Sequence, residues 1–197
     1  MTTGWSEASD RNKEPILAIL RQLLGDKPHT VLEIGSGTGQ HAVYFTEQMP
    51  QLDWQTSDLI EHHDGITARI RASRLRNVRL PLEIDVKNFP IDRSYDDVYT
   101  ANTSHIMSFD EVGGMYAGVA DVLEPGGSFV LYGPVNRAGE FTSESNRQFD
   151  NDLRARAGHM GLRDDTDLDR LASGCGMRRT GDYDLPSNNR ILVWQRS

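Results

Sequence analysis

Thr30-Val31-Leu32-Glu33-Ile34-Gly35-Ser36-Gly37-Thr38-Gly39 is the stretch that decides how this 197-residue chain reads. Its first five residues form a short apolar run suited to a buried strand, and glycines follow at once. The helical pattern Gln40–Gln48 comes next and stops before Pro50. Glycines in a strand-to-helix turn let a ligand approach the backbone with no Cβ in the way, and free N–H groups at the helix start face that ligand. The spacing is G-x-G-x-G, whereas the dinucleotide fingerprint is G-x-G-x-x-G. Glu33 stands two positions before the first glycine. A carboxylate there repels a pyrophosphate but suits the cationic methionine end of S-adenosylmethionine.

Working outward, Leu52–Asp58 reads as a second strand ending in an acid 19 residues after Gly39. From there Asp58 is placed to accept both ribose hydroxyls, a role shared with the dinucleotide fold. A third strand is expected near Leu80–Ile84, ending at Asp85, which is then placed to meet the adenine amino group. The bland alternative for either aspartate is a helix cap or turn residue. Further strands are expected near Asp97–Ala101 and, after the turn Glu124-Pro125-Gly126-Gly127, at Ser128–Tyr132. Strands alternating with helices imply a parallel sheet with right-handed crossovers. The C-terminus breaks that alternation. Met177–Asp184 and Arg190–Gln195 are joined by only five residues, so they pair antiparallel. The expected fold is therefore α/β: a Rossmann-like class I methyltransferase with a mostly parallel seven-stranded sheet, an antiparallel C-terminal hairpin and helices on both faces. Residues 1–197 read as a single domain, with an N-terminal lid helix at about 5–25 and an insertion at about 133–161 over the active-site face. Pro15 suits the first turn of that N-terminal helix, with Arg11 and Asn12 just before it.

Charge and composition narrow the partners. A net charge of −8 disfavours a nucleic-acid partner, and the eleven-residue basic stretch Arg69–Arg79 reads as a solvated helix face running into a loop. No apolar run approaches the roughly 18 residues of a membrane span, and the polar Met1–Arg11 has no secretory signal, so no membrane is expected and the chain reads as cytoplasmic. The single cysteine, Cys175, excludes an intrachain disulfide, and the adjacent His62-His63 pair is a poor metal site, so no metal is expected. Oligomeric state is left open.

Several runs resemble one family along nearly the whole chain. They are Ser9–Leu17, Leu32–Phe45, Trp54–Asp58, Ala101–Ile106, Leu131–Pro134, Ser145-Asn146 with Phe149-Asp150, and Pro186–Asn189. The sequence resembles the domain of unknown function 938 family, the methyltransferase-like 26 proteins. That resemblance implies a class I methyltransferase fold and methyltransferase activity, and it supplies no substrate. The chain departs from the family pattern at Thr56, where the family has proline, and at Leu185, where it has methionine.

In this fold ligands bind outside the carboxyl ends of the parallel strands. The cofactor is thus expected on Glu33, Gly35, Ser36, Gly37, Gly39, Asp58, Asp85, Asn102 and Arg11, the arginine reaching the methionine carboxylate. Asn102-Thr103-Ser104-His105 falls just beyond the fourth strand, at the methyl-transfer position. His105 is the candidate general base, because an imidazole near pKa 6.5 accepts a proton at neutral pH. Asn102 and Tyr132 are further catalytic candidates, while His41 reads as a local hydrogen-bonding residue. Asn12, Ser145, Asn146, Asn188 and Asn189 are the candidates for a small-molecule substrate, with Asn136, Phe149 and Asp150 expected nearby. The competing readings are a noncatalytic cofactor-binding or partner protein on the same scaffold, and a nicotinamide oxidoreductase, which the glycine spacing disfavours. O, N and S all stay open as acceptor atom.

Overall fold

The computed structural model describes residues 4–87, 89 and 93–197. Seven strands form one sheet: β1 (His29–Ile34), β2 (Leu52–Asp58), β3 (Val78–Glu83), β4 (Tyr95–Ala101), β5 (Leu123–Gly133), β8 (Met177–Leu185) and β9 (Asn189–Arg196). Their spatial order is β3-β2-β1-β4-β5-β9-β8. Strands β1 to β5 pair parallel, whereas β9 runs antiparallel to both β5 and β8. This is the mostly parallel sheet with an antiparallel closing hairpin that the sequence pattern predicts. The reversal between β1 and β4 opens a crevice at the strands' carboxyl ends.

Alternation along the strands splits the core into two layers. Val31, Tyr99 and Val130 face α1 (Glu7–Leu24), α2 (Gln40–Gln48) and α3 (His63–Ser73), where Ile16, Leu20, Phe45 and Ile66 are fully buried. Leu32, Ile34, Val98 and Leu131 face α4 (Phe109–Val122) and α6 (Asp165–Gly174), against Met115, Tyr116 and Leu168. Full burial of each such side chain stabilises the fold by roughly 1.5–3 kcal/mol, so the sheet is held firmly from both faces.

Three boundaries differ from expectation. The N-terminal helix starts at Glu7, capped by the Ser6 side chain on the Ser9 N–H, so Pro15 lies mid-helix and Arg11 and Asn12 lie within it. Ser6 is the better start because its hydroxyl satisfies a free N–H, whereas a proline start satisfies none. Pro15 has no N–H for the Arg11 carbonyl, which leaves that carbonyl without its helical donor. Strand β3 ends at Glu83, two residues before Asp85, and β5 begins at Leu123 so that the Glu124–Gly127 residues belong to it. Beyond β5, residues 133–161 carry β6 (Val135–Asn136), which pairs with β7 (Arg163–Asp164), and α5 (Glu144–Arg156). No helix among the described residues is long and apolar enough to cross a membrane.

Candidate active site

The glycine loop is shaped by three left-handed residues. Gly35, Gly37 and Gly39 have φ of 71°, 57° and 70°. A Cβ on Gly35 would sit 2.6 Å from Thr103 Cγ2, so only glycine lets β1 turn against the segment after β4. Gly39 caps α2 and packs on Ile66 and Arg69 of α3, away from the cavity the loop encloses.

The side chains of Ser36 and Glu33 stabilise the loop from beneath. Ser36 Oγ donates to Glu33 Oε2 at 2.8 Å and accepts from the Ser57 N–H, while Trp54 Nε1 donates to the same Oε2 at 3.1 Å. Glu33 is only 2% exposed, and burial pushes its carboxyl up to about 7 against the pull of those two donors. An ionised carboxylate accepts at about four sites, so Glu33 retains capacity for a cationic ligand. Asp58 binds the loop from the other side. Its Oδ2 accepts from the Gly37 N–H at 2.6 Å and its Oδ1 from the Leu59 N–H at 2.8 Å.

A cavity of about 690 Å³ opens above this loop, within the range of small-molecule sites. Its floor is Glu33, Gly35, Ser36, Gly37 and Thr38 with Ala101 and Asn102; α1 covers it with Ser6, Ser9, Arg11, Asn12 and Pro15. The far wall is His105, Tyr132, Pro134, Ser145, Asn146, Phe149, Pro186, Ser187 and Asn189. Most of the predicted site residues therefore converge on one space. Gly39, Asp58, Asp85 and Asn188 do not line it, nor do Asn136 and Asp150. Asp85 is exposed and accepts from the Lys87 N–H, and Asp150 is taken by Arg154 and the Leu162 N–H. Asn188 adopts a left-handed φ of 58° and donates through Nδ2 to Ser145 Oγ, while Asn146 Nδ2 donates to the Asn188 carbonyl. The Pro186–Asn189 turn and α5 are thus fastened together.

His105 is 5% exposed, and its Nδ1 is sealed without a partner. The ring lines the cavity, with Phe149 packed edge-on against it at 5.3 Å between centroids. Burial, aided by the nearby Arg163 guanidinium, pulls the imidazole down to about 4. Asn102 has a left-handed φ of 59° and donates its N–H to the Tyr132 carbonyl, so it joins the ends of β4 and β5. Burial raises the Tyr132 phenol, which keeps its proton. His41 is also buried, with Nε2 2.7 Å from Asn12 Oδ1 and Nδ1 3.2 Å from the Tyr99 hydroxyl, and burial pulls it down to about 4. It acts as a neutral link between α1 and the sheet.

Sequence reading missed the fastening of α1. Gln40 Oε1 accepts from the Ser6 N–H at 2.6 Å, and Gln40 Nε2 donates to the Ser6 carbonyl at 3.2 Å. Arg69 donates to the Thr38 and Gly4 carbonyls, each at 2.6 Å, and lies over the Trp5 ring. Of the basic stretch, Arg69 therefore serves the site and Arg79 pairs with Asp53. No local pattern flags a glutamine or an arginine that grips backbone carbonyls far along the chain.

The pattern of the family described as Protein of unknown function (DUF938) matches residues 3–196. The chain is a DUF938 protein. Solved structures similar to this DUF938 chain include an O-methyltransferase family protein from Burkholderia thailandensis, at 21% identity and a TM-score of 0.81, covering 97% of this chain and 58% of that one. Human N-acetylserotonin methyltransferase, solved in complex with SAM, is 16% identical with a TM-score of 0.81, covering 97% of this chain and 53% of that one. The DUF938 chain thus spans little more than half the length of these two proteins. At such identities the likeness establishes the class I methyltransferase fold.

Proposed function

We propose that this DUF938 chain is an S-adenosylmethionine-dependent methyltransferase acting on a small molecule. It is read as one domain, with α1 as a lid over the cofactor and residues 133–161 as an insertion over the acceptor. The observation that carries the reading is the buried Glu33 carboxyl at the floor of a glycine-walled cavity: a loop built to receive a cation beside a backbone open to close approach. S-adenosylmethionine, when bound, supplies a methyl group already activated on its sulfonium.

The chain's own residues then bind, align and exclude water. Glu33 with the Gly35–Thr38 backbone receives the amino-acid end, and Asp58, outside the cavity lining but bonded to the Gly37 N–H, keeps acceptor capacity on both oxygens for ribose hydroxyls that extend past the loop. Arg11 at the mouth meets a carboxylate. Alignment of this kind contributes on the order of 7–11 kcal/mol in well-oriented systems. His105 receives the acceptor's proton at Nε2, a contribution of about 10²–10⁴ in rate.

Calorimetry with S-adenosylhomocysteine and NAD tests the cofactor assignment. Binding of the former alone is expected, weakened at least tenfold in Asp58→Ala; binding of NAD instead overturns the reading. Incubation with labelled S-adenosylmethionine and a metabolite extract tests turnover. His105→Ala is expected to lower labelling by about 10²-fold or more. Because burial holds His105 at about 4, the acid limb of the rate should fall near pH 4 and not near 6.5.

A further inference from the structure

A short chain of polar groups runs from the sheet to the helix that covers the cavity, and its direction follows from its buried end. The Tyr99 hydroxyl on β4 lies 3.2 Å from His41 Nδ1, and among the described residues that nitrogen is its only hydrogen-bond partner. Tyr99 is 1% exposed, so a hydroxyl proton not given to Nδ1 would be buried without an acceptor, which is costly. Tyr99 therefore donates and Nδ1 accepts. Burial pulls the His41 imidazole down to about 4, so near pH 7 the ring is neutral and carries one proton. With Nδ1 accepting, that proton sits on Nε2, which donates to Asn12 Oδ1 at 2.7 Å. Ser9, one turn earlier in α1, meets the ring through its backbone carbonyl, which also only accepts. The Asn12 oxygen is thereby held on His41, and the part of the amide left to the cavity is its NH2 group. Burial raises the Tyr132 phenol and the Asn12 amide opposes that rise, as a donor to the phenol oxygen does. Arg11 lines the cavity beside Asn12, and its contact with Glu7, at 3.5 Å and exposed on both sides, is weak and occupies one guanidinium nitrogen.

We propose that Tyr99 and His41 are positioning residues that hold the Asn12 amide with its NH2 toward the cavity, where it binds the cofactor's carboxylate beside Arg11. The proposal rests on the methyltransferase reading above, and it moves Asn12 from the methyl acceptor, where the sequence pattern placed it, to the cofactor. An asparagine amide can offer either end to a ligand. Turned over, Asn12 would aim its carbonyl oxygen at the carboxylate and repel it. The turned amide needs a bare Nε2, hence a proton on Nδ1 aimed at the Tyr99 oxygen, and the Tyr99 hydroxyl proton is then stranded in the core. The choice is thus made on β4, two hydrogen bonds back from Asn12. Tyr132, having accepted from Asn12, keeps its own proton to donate. Guanidinium, amide NH2 and phenol O–H are all donors, which suits a carboxylate, while Glu33 on the floor suits the ammonium of the same amino-acid end.

The test uses the full chain with S-adenosylhomocysteine and its decarboxylated analogue, which lacks only the carboxylate. If S-adenosylhomocysteine fails to bind the wild type in calorimetry, the methyltransferase reading falls and this proposal with it. Given binding, the wild type should prefer S-adenosylhomocysteine over the analogue at least tenfold. Asn12→Asp keeps an acceptor oxygen for His41 Nε2, and so keeps α1 fastened, but replaces the donor with a carboxylate oxygen. Its preference should fall to threefold or less, with the analogue bound within threefold of wild type. Tyr99→Phe removes the donor that sets the direction of the chain and should reduce the preference at least threefold. Nitrogen-15 NMR of the wild type should find the His41 ring proton on Nε2. A proton on Nδ1 overturns the proposal, as does a wild-type preference below threefold or one undiminished in Asn12→Asp or Tyr99→Phe.

Discussion

Glu33 shows how one side chain couples the loop to solvent pH. Its carboxyl is raised from 4.5 to about 7, chiefly by burial, so between these values the folded chain holds a proton that the unfolded chain has released. The stabilisation is therefore complete below pH 4.5 and is lost as pH rises through 7, a difference of about 3 kcal/mol. A cationic ligand beside Glu33 reverses that balance by favouring the ionised form. Thermal melts between pH 5 and 8 should show stability of the ligand-free protein declining toward pH 8. S-adenosylhomocysteine should bind more tightly over the same range, and Glu33→Gln should flatten both trends. A ligand affinity independent of pH in the wild type would remove Glu33 from the cofactor site.

Among the elements, α1 is held over the cavity by side chains of α2 and α3. Its apolar stripe, Ile16, Leu17, Leu20 and Leu24, seats its C-terminal half on the sheet. Its N-terminal half is held through Asn12 by His41, and the residues leading into it, Gly4 and Ser6, by Arg69 and Gln40. Two of these three, Gln40 and His41, lie in the first turn of α2, directly after the glycine loop. Gln40→Ala removes two hydrogen bonds to the Ser6 backbone, worth roughly 1–3 kcal/mol together. Amide exchange over residues 6–12 should rise in this variant, and S-adenosylhomocysteine affinity should fall about 3–30-fold while the rest of the sheet stays protected. Unchanged exchange in that segment would show that the apolar stripe alone holds the helix down.

At the scale of the whole molecule, Arg190 ties the late elements to the sheet. Its side chain is 1% exposed. It contacts Asp182 through Nε and Nη2 at 3.1 and 2.7 Å, and Asp165 at 2.8 Å. Nη1 also donates to the Asn136 carbonyl, so β6, α6, β8 and β9 meet at one guanidinium. Arg190→Ala leaves Asp165 buried without that partner and should cost about 3–5 kcal/mol in chemical denaturation. A loss below 1 kcal/mol would mean that the cluster is solvated in solution. The Pro186–Asn189 turn just before Arg190 is held against α5 by the Asn146–Asn188 and Asn188–Ser145 hydrogen bonds, which shape the far wall of the cavity.

What the sequence by itself determined is whatever lies in local pattern. The apolar run before Gly35, the G-x-G-x-G spacing, Glu33 and the short link between β8 and β9 establish the sheet, its closing hairpin and the glycine loop. Those features follow from backbone sterics and side-chain periodicity, which act over a few residues. Tertiary structure alone decided the proton affinities and the fastenings. His105 and Glu33 owe their shifted pKa values to burial. Gln40, Arg69 and Arg190 find backbone or carboxylate partners far along the chain or on another element. Asp85, which spacing placed at the cofactor, lies two residues beyond the end of β3, exposed and bonded to the Lys87 N–H. Desolvation and long-range hydrogen bonding depend on which surfaces meet in three dimensions, and no window of sequence contains that information.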